Sequence, residues 1–554
     1  GMSSGDPISN ATSIQLQVGG NKNVGFLRNS NTSSTNVNDM VLNSTRIGTT
    51  FDFLPNATES TLIRSDKNGV VLAKSLTLTA AGEKNSIMQA GKTGKVTLTS
   101  GYTVKANMPK FYALTAGDFN GSSGATATNN GILDIGGTES IGMAIAEGNT
   151  GNNTGNITLT GSSGSAIYNK GTFNLTGGNI IVDGAKSSGV YNAAGTTNIS
   201  STVRITAKNG AAGIYASGGT VNSTSGANLH LTSEAGEGLA AYAGGGTINL
   251  TGATVNVINS AAGVASSGAA SMVNLTNANM TYDGKGYAVY STNGGKVNLS
   301  GTKLTLKGGS TAFDVDLGAG TLPITLDVNT RINANSDDVI AFNLKNATGL
   351  TTVGGIETSI KGKIETKLGL GGGSLNNLFS ESTSTKYKVA AVDGGEITVG
   401  NLDKSGTKDD TDQAKKDGYQ YFNRFLAQRL KATANGSTIK AVLSSSFAND
   451  NFNGQVVGFE MNSSKNATNV DETAINLVNS KIMADRTDAG AGAIGAFINY
   501  GLVNIDATSK IEVEKENNVV NKQALGVYAV NGSKVDNKGT IDVGGDQSVG
   551  ILGM

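Results

Sequence analysis

A short motif of a small residue, an apolar residue and a third residue, usually aromatic or small, recurs along the middle of the chain. The seven copies are Ala166-Ile167-Tyr168, Gly189-Val190-Tyr191, Gly213-Ile214-Tyr215, Gly238-Leu239-Ala240, Gly263-Val264-Ala265, Ala288-Val289-Tyr290 and Ala312-Phe313-Asp314. The first residues of successive copies are separated by 23, 24, 25, 25, 25 and 24 positions. A period held this steadily indicates an internal repeat, which has to be recognised before secondary structure is assigned.

Each repeat also carries two runs in which apolar and polar residues alternate, as in a half-buried strand. One run has Asn at its centre, as in Phe173-Asn174-Leu175 and Val297-Asn298-Leu299, and the other is typified by Leu304-Thr305-Leu306. Gly-Gly, Asn-Gly and Ser-Gly pairs separate the runs and favour tight turns. Three short strands and three corners in each repeat predict one coil of a parallel β-helix.

The predicted fold class is therefore all-β, a right-handed parallel β-helix with three short strands per coil of ~24 residues, since parallel crossovers are right-handed. Weaker copies of the pattern extend it to both sides of the central block. We predict an irregular β start over 1–130, regular coils over 131–345, interrupted coils over 346–450 and coils again over 451–554. Stacked coils predict an elongated rod.

The predicted interruption centres on residues 401–435. A dense charge run at 403–417 precedes Phe422, Phe425, Leu426 and Leu430, whose spacing is close to helical. This pattern predicts one amphipathic helix near 409–432, inserted between coils. The segments 369–373 and 380–384 are predicted to be loops.

The amino-acid composition excludes several classes of protein. The chain has 554 residues, 78 Gly, 4 Pro, one His, no Cys and no Trp, and its 42 Lys and Arg balance 42 Asp and Glu. The lack of cysteine excludes disulfide scaffolds, thiolate zinc sites and cysteine nucleophiles. The balanced charge argues against a nucleic-acid partner. No apolar run reaches the ~20 residues of a membrane helix, so we expect no membrane insertion by this segment.

Candidate enzyme residues are sparse. His230 is predicted to face solvent between Leu229 and Leu231, and it has no second His with which to build a metal or catalytic site. Asp337-Asp338 is similar to the paired aspartates of polygalacturonases, but the Asn-Thr-Asp and Gly-His-Gly segments of that family are absent. We expect no enzyme activity and no catalytic residue.

Asp314, Asp316 and Asp327 are the carboxylates that could suggest a calcium site. The Gly-Gly-x-Gly-x-Asp nonapeptide of calcium β-rolls never repeats in this sequence. We expect no metal and no cofactor.

The insertion at 401–435 is the best binding candidate, because loops that decorate a scaffold often carry function. Tyr419, Tyr421, Arg424 and Arg429 are the predicted ligand contacts, since aromatic and guanidinium groups are enriched at binding hot spots. The alternative is that this helix only packs on the coils.

A column of asparagines is predicted to point outward and form a structural amide ladder rather than a glycan face. Its members are Asn174, Asn198, Asn222, Asn249, Asn274 and Asn298.

The units Gly-Thr-Ile/Val/Phe-Asn-Leu and Ser-x-Gly-Met/Val, with Asn-Lys-Gly-Thr-Ile-Asp-Val-Gly-Gly-Asp-Gln-Ser-Val-Gly-Ile-Leu at 537–552, resemble passenger segments of large fusobacterial type V autotransporter adhesins, RadD-like ones in particular. The resemblance is best over 130–345 and 450–554. It implies an internal passenger segment of a larger chain, exported through the outer membrane to the bacterial cell surface. The implied partner is a protein or glycan receptor on other bacteria or on host cells. The alternatives are a polysaccharide-degrading β-helix enzyme and an inert stalk that spaces a distal binding domain.

Overall fold

The computed structural model describes residues 2–3, 14–29, 39–79, 82–117, 121, 123–319, 322–351, 356–368, 374–444, 452, 454–462, 467–489, 492–515 and 523–554. The chain divides into two compact units. Unit 1 comprises Gly1–Ser310, Pro323–Asn333 and Leu378–Glu381, and unit 2 comprises Thr311–Leu322, Ala334–Asn377 and Ser382–Met554. Both are built from parallel strands stacked as a β-solenoid, so the predicted fold class is confirmed. The handedness stays a prediction.

Unit 1 has three faces of parallel strands. The described strands of face A are Met2–Ser3, Val24–Arg28, Thr61–Ser65, Ser86–Ala90, Tyr112–Ala116, Ile141–Ile145, Ser165–Asn169, Ser188–Asn192, Ala212–Ala216, Leu239–Ala243, Ala262–Ser267 and Tyr287–Thr292. Those of face B are Met40–Asn43, Gly69–Ala73, Lys95–Leu98, Thr126–Asn129, Thr150–Asn153, Thr172–Leu175, Thr196–Ile199, Thr220–Ser223, Thr247–Thr251, Met272–Thr276, Lys296–Ser300 and Ile324–Leu326. Those of face C are Leu76–Leu78, Thr103–Ala106, Ile132–Ile135, Asn156–Leu159, Asn179–Asp183, Val203–Lys208, Leu229–Glu234, Thr254–Ile258, Asn279–Asp283, Lys303–Lys307 and Arg331–Ala334. Strands Ile14–Val18 and Ile47–Phe53 form a separate pair.

The core of unit 1 follows from alternation along each strand. In Thr172–Leu175, Phe173 and Leu175 are fully buried while Asn174 between them is partly exposed. Because the strands pair in register, each inward side chain lies over the inward side chain of the next coil. Face A also packs closely, since a Cβ atom on Gly213 would lie 2.6 Å from the carbonyl oxygen of Ala240.

One predicted repeat copy was assigned the wrong register. Ile214 pairs with Ala241 and Tyr215 pairs with Tyr242, so the true copy is Ala240-Ala241-Tyr242 rather than the predicted Gly238-Leu239-Ala240. The true copy begins 27 residues after Gly213 (240 minus 213) because the turn before Leu229–Glu234 is longer than in the other coils. Both triplets fit the repeat motif of a small residue, an apolar residue and a small or aromatic residue. Only the strand pairing distinguishes them.

Unit 2 has three sheets and most of the helix of the described chain. The first sheet holds Thr311–Asp316, Ile340–Lys345, Leu350–Thr351, Lys388–Val399, Phe425–Asn435, Ala474–Val478, Leu502–Ile505 and Lys534–Asn537. The second holds Leu402–Asp403, Thr438–Leu443, Lys481–Arg486, Lys510–Val513 and Thr540–Val543. The third holds Val456–Asn462, Ala493–Asn499, Ala524–Val530 and Val549–Gly553. The helices are α1 (Ile356–Leu368), α2 (Ser374–Leu378), α3 (Gln413–Arg424) and a 3₁₀ turn at Val470–Glu472.

The inserted helix is shorter than predicted. Helix α3 begins after Asp412, whose carboxylate accepts the backbone N–H groups of Ala414 and Lys415 at 2.9 and 3.2 Å. It ends at Arg424, and Phe425 opens an 11-residue strand that pairs with Lys388–Val399. The near-helical spacing across 422–430 was therefore misleading, because sheet pairing overrides it. Residues 380–384 have neither helix nor strand, as predicted, and the loop predicted at 369–373 lies outside the described residues.

Candidate functional site

Helices α1 and α3 are tied together by polar contacts. The side-chain oxygen of Gln420 accepts the backbone N–H of Glu357 at 3.0 Å, at the start of α1. Arg424 lies 3.5 Å from the carboxylate of Glu357, donates to the carbonyl of Thr385 at 2.9 Å and stacks 4.3 Å from the ring centroid of Tyr387. These contacts fix α1 against the end of α3.

Helix α3 is held on the third sheet by aromatic packing. The ring of Tyr421 stacks on Phe459 with centroids 5.2 Å apart, and Phe422 meets Phe459 edge-on at 6.5 Å. The Tyr421 hydroxyl lies 3.3 Å from the sulfur of Met461. Complete burial raises the pKa of Tyr421 and Glu460 adds to the rise, so the phenol stays neutral.

A cavity of about 260 Å³, here called the cleft, lies among α1, α3 and the strands they cover. Its walls are mainly apolar and include Ile360, Phe422 and Leu426, while Gln428 and Glu460 supply polar groups. Leu426 is 42% exposed although it is a large apolar side chain. Apolar walls with a few polar groups are the usual composition of ligand pockets.

Two half-buried lysines have shifted pKa values, and one of them, Lys404, lies over Phe422 of the cleft wall. Lys404 donates to the carbonyl of Val457 at 3.3 Å and lies 4.8 Å from the ring centroid of Phe422. Burial lowers the pKa of Lys404, and the charge of Glu460 partly opposes this shift. Burial also lowers the pKa of Lys388, with Arg424 adding to the shift and Glu460 opposing it. Groups with shifted pKa values beside a cavity mark a candidate site.

The predicted ligand contacts occupy different positions. Tyr421 lines the cleft but is only 7% exposed, and Arg424 is buried to the same extent in the contacts described above. Tyr419 is half-buried on α3. Arg429 pairs in bidentate fashion with Asp393 at 2.7 and 3.0 Å. The structure thus gives Arg424 and Arg429 internal partners, and a ligand role for the four residues stays a prediction.

Sequence reasoning missed the cleft residues outside 401–435, among them Ile360 and Glu460. Ile360 belongs to α1, which was not predicted, although Ile356, Ile360, Ile364 and Leu368 follow a spacing of four that could have revealed it. Glu460 lies 36 residues after the end of α3 (460 minus 424), and only the packing of α3 on the third sheet brings it to the cleft. No local signal could have found it.

The asparagine column lies on face B, half-exposed and in register. Asn249 donates to Asn222 at 2.7 Å, Asn274 donates to Asn249 at 2.6 Å and Asn298 donates to Asn274 at 2.7 Å. The predicted members Asn174, Asn198 and Asn222 are also backbone neighbours. Unit 2 contains an equivalent pair of stacked asparagines, in which the side chain of Asn504 donates to Asn476 at 2.7 Å. Such amide ladders tighten a stack of strands.

The enzyme-like residues are dispersed. Asp337 and Asp338 lie at an exposed turn, where each accepts a serine hydroxyl at 2.6 Å, from Ser384 and Ser336 respectively. His230 is half-exposed between two buried leucines. Within the described ranges, no group of three His, Cys, Asp or Glu side chains could hold a metal ion.

The aspartates considered for calcium have neighbouring donors. Asp314 pairs with Lys345 at 2.7 Å, Asp316 accepts from Asn346 at 2.7 Å and Asp327 accepts the backbone N–H of Gly301 at 3.0 Å. Burial raises the pKa of Asp327, but hydrogen bonds from Gly301, Ser300 and Thr330 outweigh it, so the pKa is lowered overall. These carboxylates serve local turns and pairs.

None of the helices in the described part of the chain is long and apolar enough to cross a membrane. No family model, no curated protein and no solved structure matches the chain.

Proposed function

We propose that this chain is an adhesive β-solenoid, displayed on a bacterial surface as part of an autotransporter passenger, which binds a receptor on other cells through the cleft of unit 2. The observation that carries the proposal is the interruption of a repetitive scaffold by α1 and α3, which cover a mainly apolar cavity of about 260 Å³. A regular coil offers the same surface again and again, whereas an insertion offers a surface found once. Specific recognition is expected at such insertions.

The exposure of Leu426 supports a binding role for the cleft. This side chain belongs to a strand whose neighbours Phe425 and Leu430 are buried, yet 42% of it is accessible. It lies with the polar groups of Gln428, Glu460 and Asn462 around the cavity. A receptor that covers Leu426 would gain apolar burial at the centre and hydrogen bonds at the rim, as in known binding sites.

The test is binding of the purified protein to whole bacteria and host cells, measured by flow cytometry as a function of protein concentration. We expect Leu426→Lys to weaken binding about tenfold or more, because it buries a charge in the receptor contact. Val478→Lys is the matched control, since Val478 is 40% exposed on another strand of unit 2. It should leave binding unchanged.

Two outcomes would overturn the proposal. If the wild-type protein binds no cell at saturating concentration, the chain is a stalk. If the two lysine variants bind as well as wild type, or both lose binding equally, the cleft is not the receptor site. Thermal unfolding of each variant shows whether a loss of binding reflects a loss of fold.

A further inference from the structure

Seven tyrosines lie on the outer side of face A in unit 1, half of the 14 in the chain. We call them the tyrosine stripe: Tyr112, Tyr168, Tyr191, Tyr215, Tyr242, Tyr287 and Tyr290. Tyr168, Tyr191, Tyr215 and Tyr242 are direct strand-to-strand neighbours. Their ring centroids are 5.3, 4.8 and 5.2 Å apart, and the last two pairs are stacked nearly parallel. All seven side chains remain partly exposed.

The stripe continues across strand Ala262–Ser267, which carries no tyrosine. Ala265 follows Tyr242 in register, and Tyr290 follows Ala265. Tyr287 contacts Tyr290 with ring centroids 5.4 Å apart. Tyrosines therefore occur on six of the eight successive strands from Tyr112–Ala116 to Tyr287–Thr292.

The strands that carry the stripe contain no charged residue, and one lysine of a following turn, Lys170, lies 5.8 Å from the ring centroid of Tyr168. Every residue that pairs in register with the stripe, from Gln89 to Tyr290, is uncharged. The outer positions of face C carry Lys105, Asp134 and Arg204 over the same part of unit 1. Charge is therefore distributed unevenly over unit 1, and the tyrosines occupy strands without charged residues.

The stripe also offers hydroxyl groups. Ser217 donates to the Tyr191 hydroxyl at 3.3 Å. Burial raises the pKa of Tyr215, and its neighbours Tyr191 and Tyr242 add to the rise, so the Tyr215 phenol remains a protonated donor. A tyrosine has an apolar body and a polar tip, which suits a surface that is both apolar and wet.

We propose that the tyrosine stripe binds neutral carbohydrate chains built of pyranose rings. A pyranose has apolar C–H faces and a rim of hydroxyls, which match the apolar bodies and the hydroxyl tips of half-exposed tyrosines. A nucleic acid or a highly charged peptide would find no opposite charge on the strands of the stripe, and Lys170 beside Tyr168 is not enough for a partner that needs many cations. Tyrosines repeated from coil to coil can contact several sugar rings of one polymer, so weak contacts add up through multivalency.

This proposal goes beyond the adhesive function, because the stripe lies in unit 1 and its ligand can be tested without any cell. The probes are soluble dextran, mannan, galactan and xylan, with polygalacturonate as a charged comparison. Binding to the purified full chain is measured by isothermal titration and by near-ultraviolet circular dichroism. The chain has no Trp, so the dichroism signal reports mainly on tyrosine.

We expect at least one neutral polysaccharide to bind and to change the tyrosine signal. The double variant Tyr191→Ala/Tyr215→Ala should weaken binding at least tenfold. The variant Tyr191→Phe/Tyr215→Phe keeps the rings and loses the hydroxyls, and it should fall between wild type and the alanine variant. Tyr102→Ala, which changes a partly exposed tyrosine of unit 1 outside the stripe, should leave binding unchanged.

The proposal is overturned if no neutral polysaccharide binds wild type, if polygalacturonate binds better than all of them, or if the double alanine variant is folded and binds normally. Should the alanine variant fail to fold, the phenylalanine variant and the wild-type tyrosine signal decide. In that case the proposal is overturned if a polysaccharide binds wild type without changing the tyrosine dichroism and binds the phenylalanine variant with the same affinity. The Leu426→Lys variant should bind polysaccharide as wild type does, so failure of the cleft proposal and failure of this one are distinguishable.

Discussion

The two units use the same coil but stabilise it differently. In unit 1 some columns repeat one side chain from coil to coil, as where Tyr191 meets Tyr215 and Asn249 meets Asn274. In unit 2 the helices and long strands break this repetition. Their contacts join unlike partners, such as Arg424 with Glu357 and Arg429 with Asp393.

The comparison teaches where specific recognition can arise. Like-on-like stacking needs only a constant period, and it yields long uniform surfaces such as the tyrosine stripe. A break in the period needs individually matched residues, and it yields a single cavity. A uniform surface suits a polymer of repeated units, whereas a cavity suits one defined group.

The largest expected effect comes from removing the aromatic support of α3. Phe459 is fully buried and touches both Tyr421 and Phe422. We expect Phe459→Ala to lower the free energy of unfolding of unit 2 by about 3–5 kcal/mol, since truncation leaves a cavity. Hydrogen exchange of residues 413–424 should accelerate, as measured by mass spectrometry.

Phe173→Ala is the matched control in unit 1. Phe173 is also fully buried, but it lies within regular coils. Phe173→Ala should lower the free energy of unfolding by a similar amount and leave hydrogen exchange in α3 unchanged. Slow exchange in α3 despite Phe459→Ala would show that the helix does not depend on the aromatic contact.

A smaller effect is expected in the asparagine column. The side chain of Asn249 donates to Asn222 and accepts from Asn274, whereas no side-chain hydrogen bond of Asn198 occurs within the described part of the column. We expect Asn249→Ala to cost about 1–2 kcal/mol more than Asn198→Ala in urea unfolding, from two lost hydrogen bonds. Equal costs would mean that the ladder acts through backbone pairing and not through its amides.

Much of the coil could be predicted from sequence because its cause is local. The alternation in Phe173-Asn174-Leu175 predicts which side chains are buried, and in-register stacking propagates that pattern from coil to coil. The error at Gly238 arose because glycine and alanine are so frequent there that two registers fit equally well. Only pairing of Tyr215 with Tyr242 distinguishes them.

The cleft could be predicted only in part. Charge and aromatic residues marked 401–435, and α3 lies there, but Phe425 and Leu426 belong to a strand because Lys388–Val399 offers a partner edge. The positions of Ile360 and Glu460 depend on packing between distant segments. Sequence patterns report local preference, and this site was made by tertiary contact.

The smallest expected effect is a difference in acid sensitivity, and it rests on carboxylates with lowered pKa values. Among the residues described, four in unit 2 show this shift and one in unit 1, Asp327, does. Those of unit 2 are Glu472, Asp506, Glu512 and Asp542. Burial raises the pKa of Glu512, but hydrogen bonds and charge from Lys481 and Lys510 lower it overall. The pKa of Asp542 is lowered chiefly by its hydrogen bond from Lys515.

A carboxylate with a lowered folded-state pKa stabilises the fold fully above its unfolded pKa, and this stability is lost as the pH falls through the folded value. We therefore expect hydrogen-exchange protection factors of unit 2 to fall more than those of unit 1 as the pH drops from about 5 to about 3. Asp417 has the opposite shift, since burial raises its pKa, and it offsets part of the loss in unit 2. High salt should reduce the difference between the two units in their loss of protection, because the lysine pairs of Glu512 and Asp542 are partly exposed and salt screens them. An equal or larger fall in unit 1 would show that like-on-like coils are no less dependent on charge than the interrupted ones.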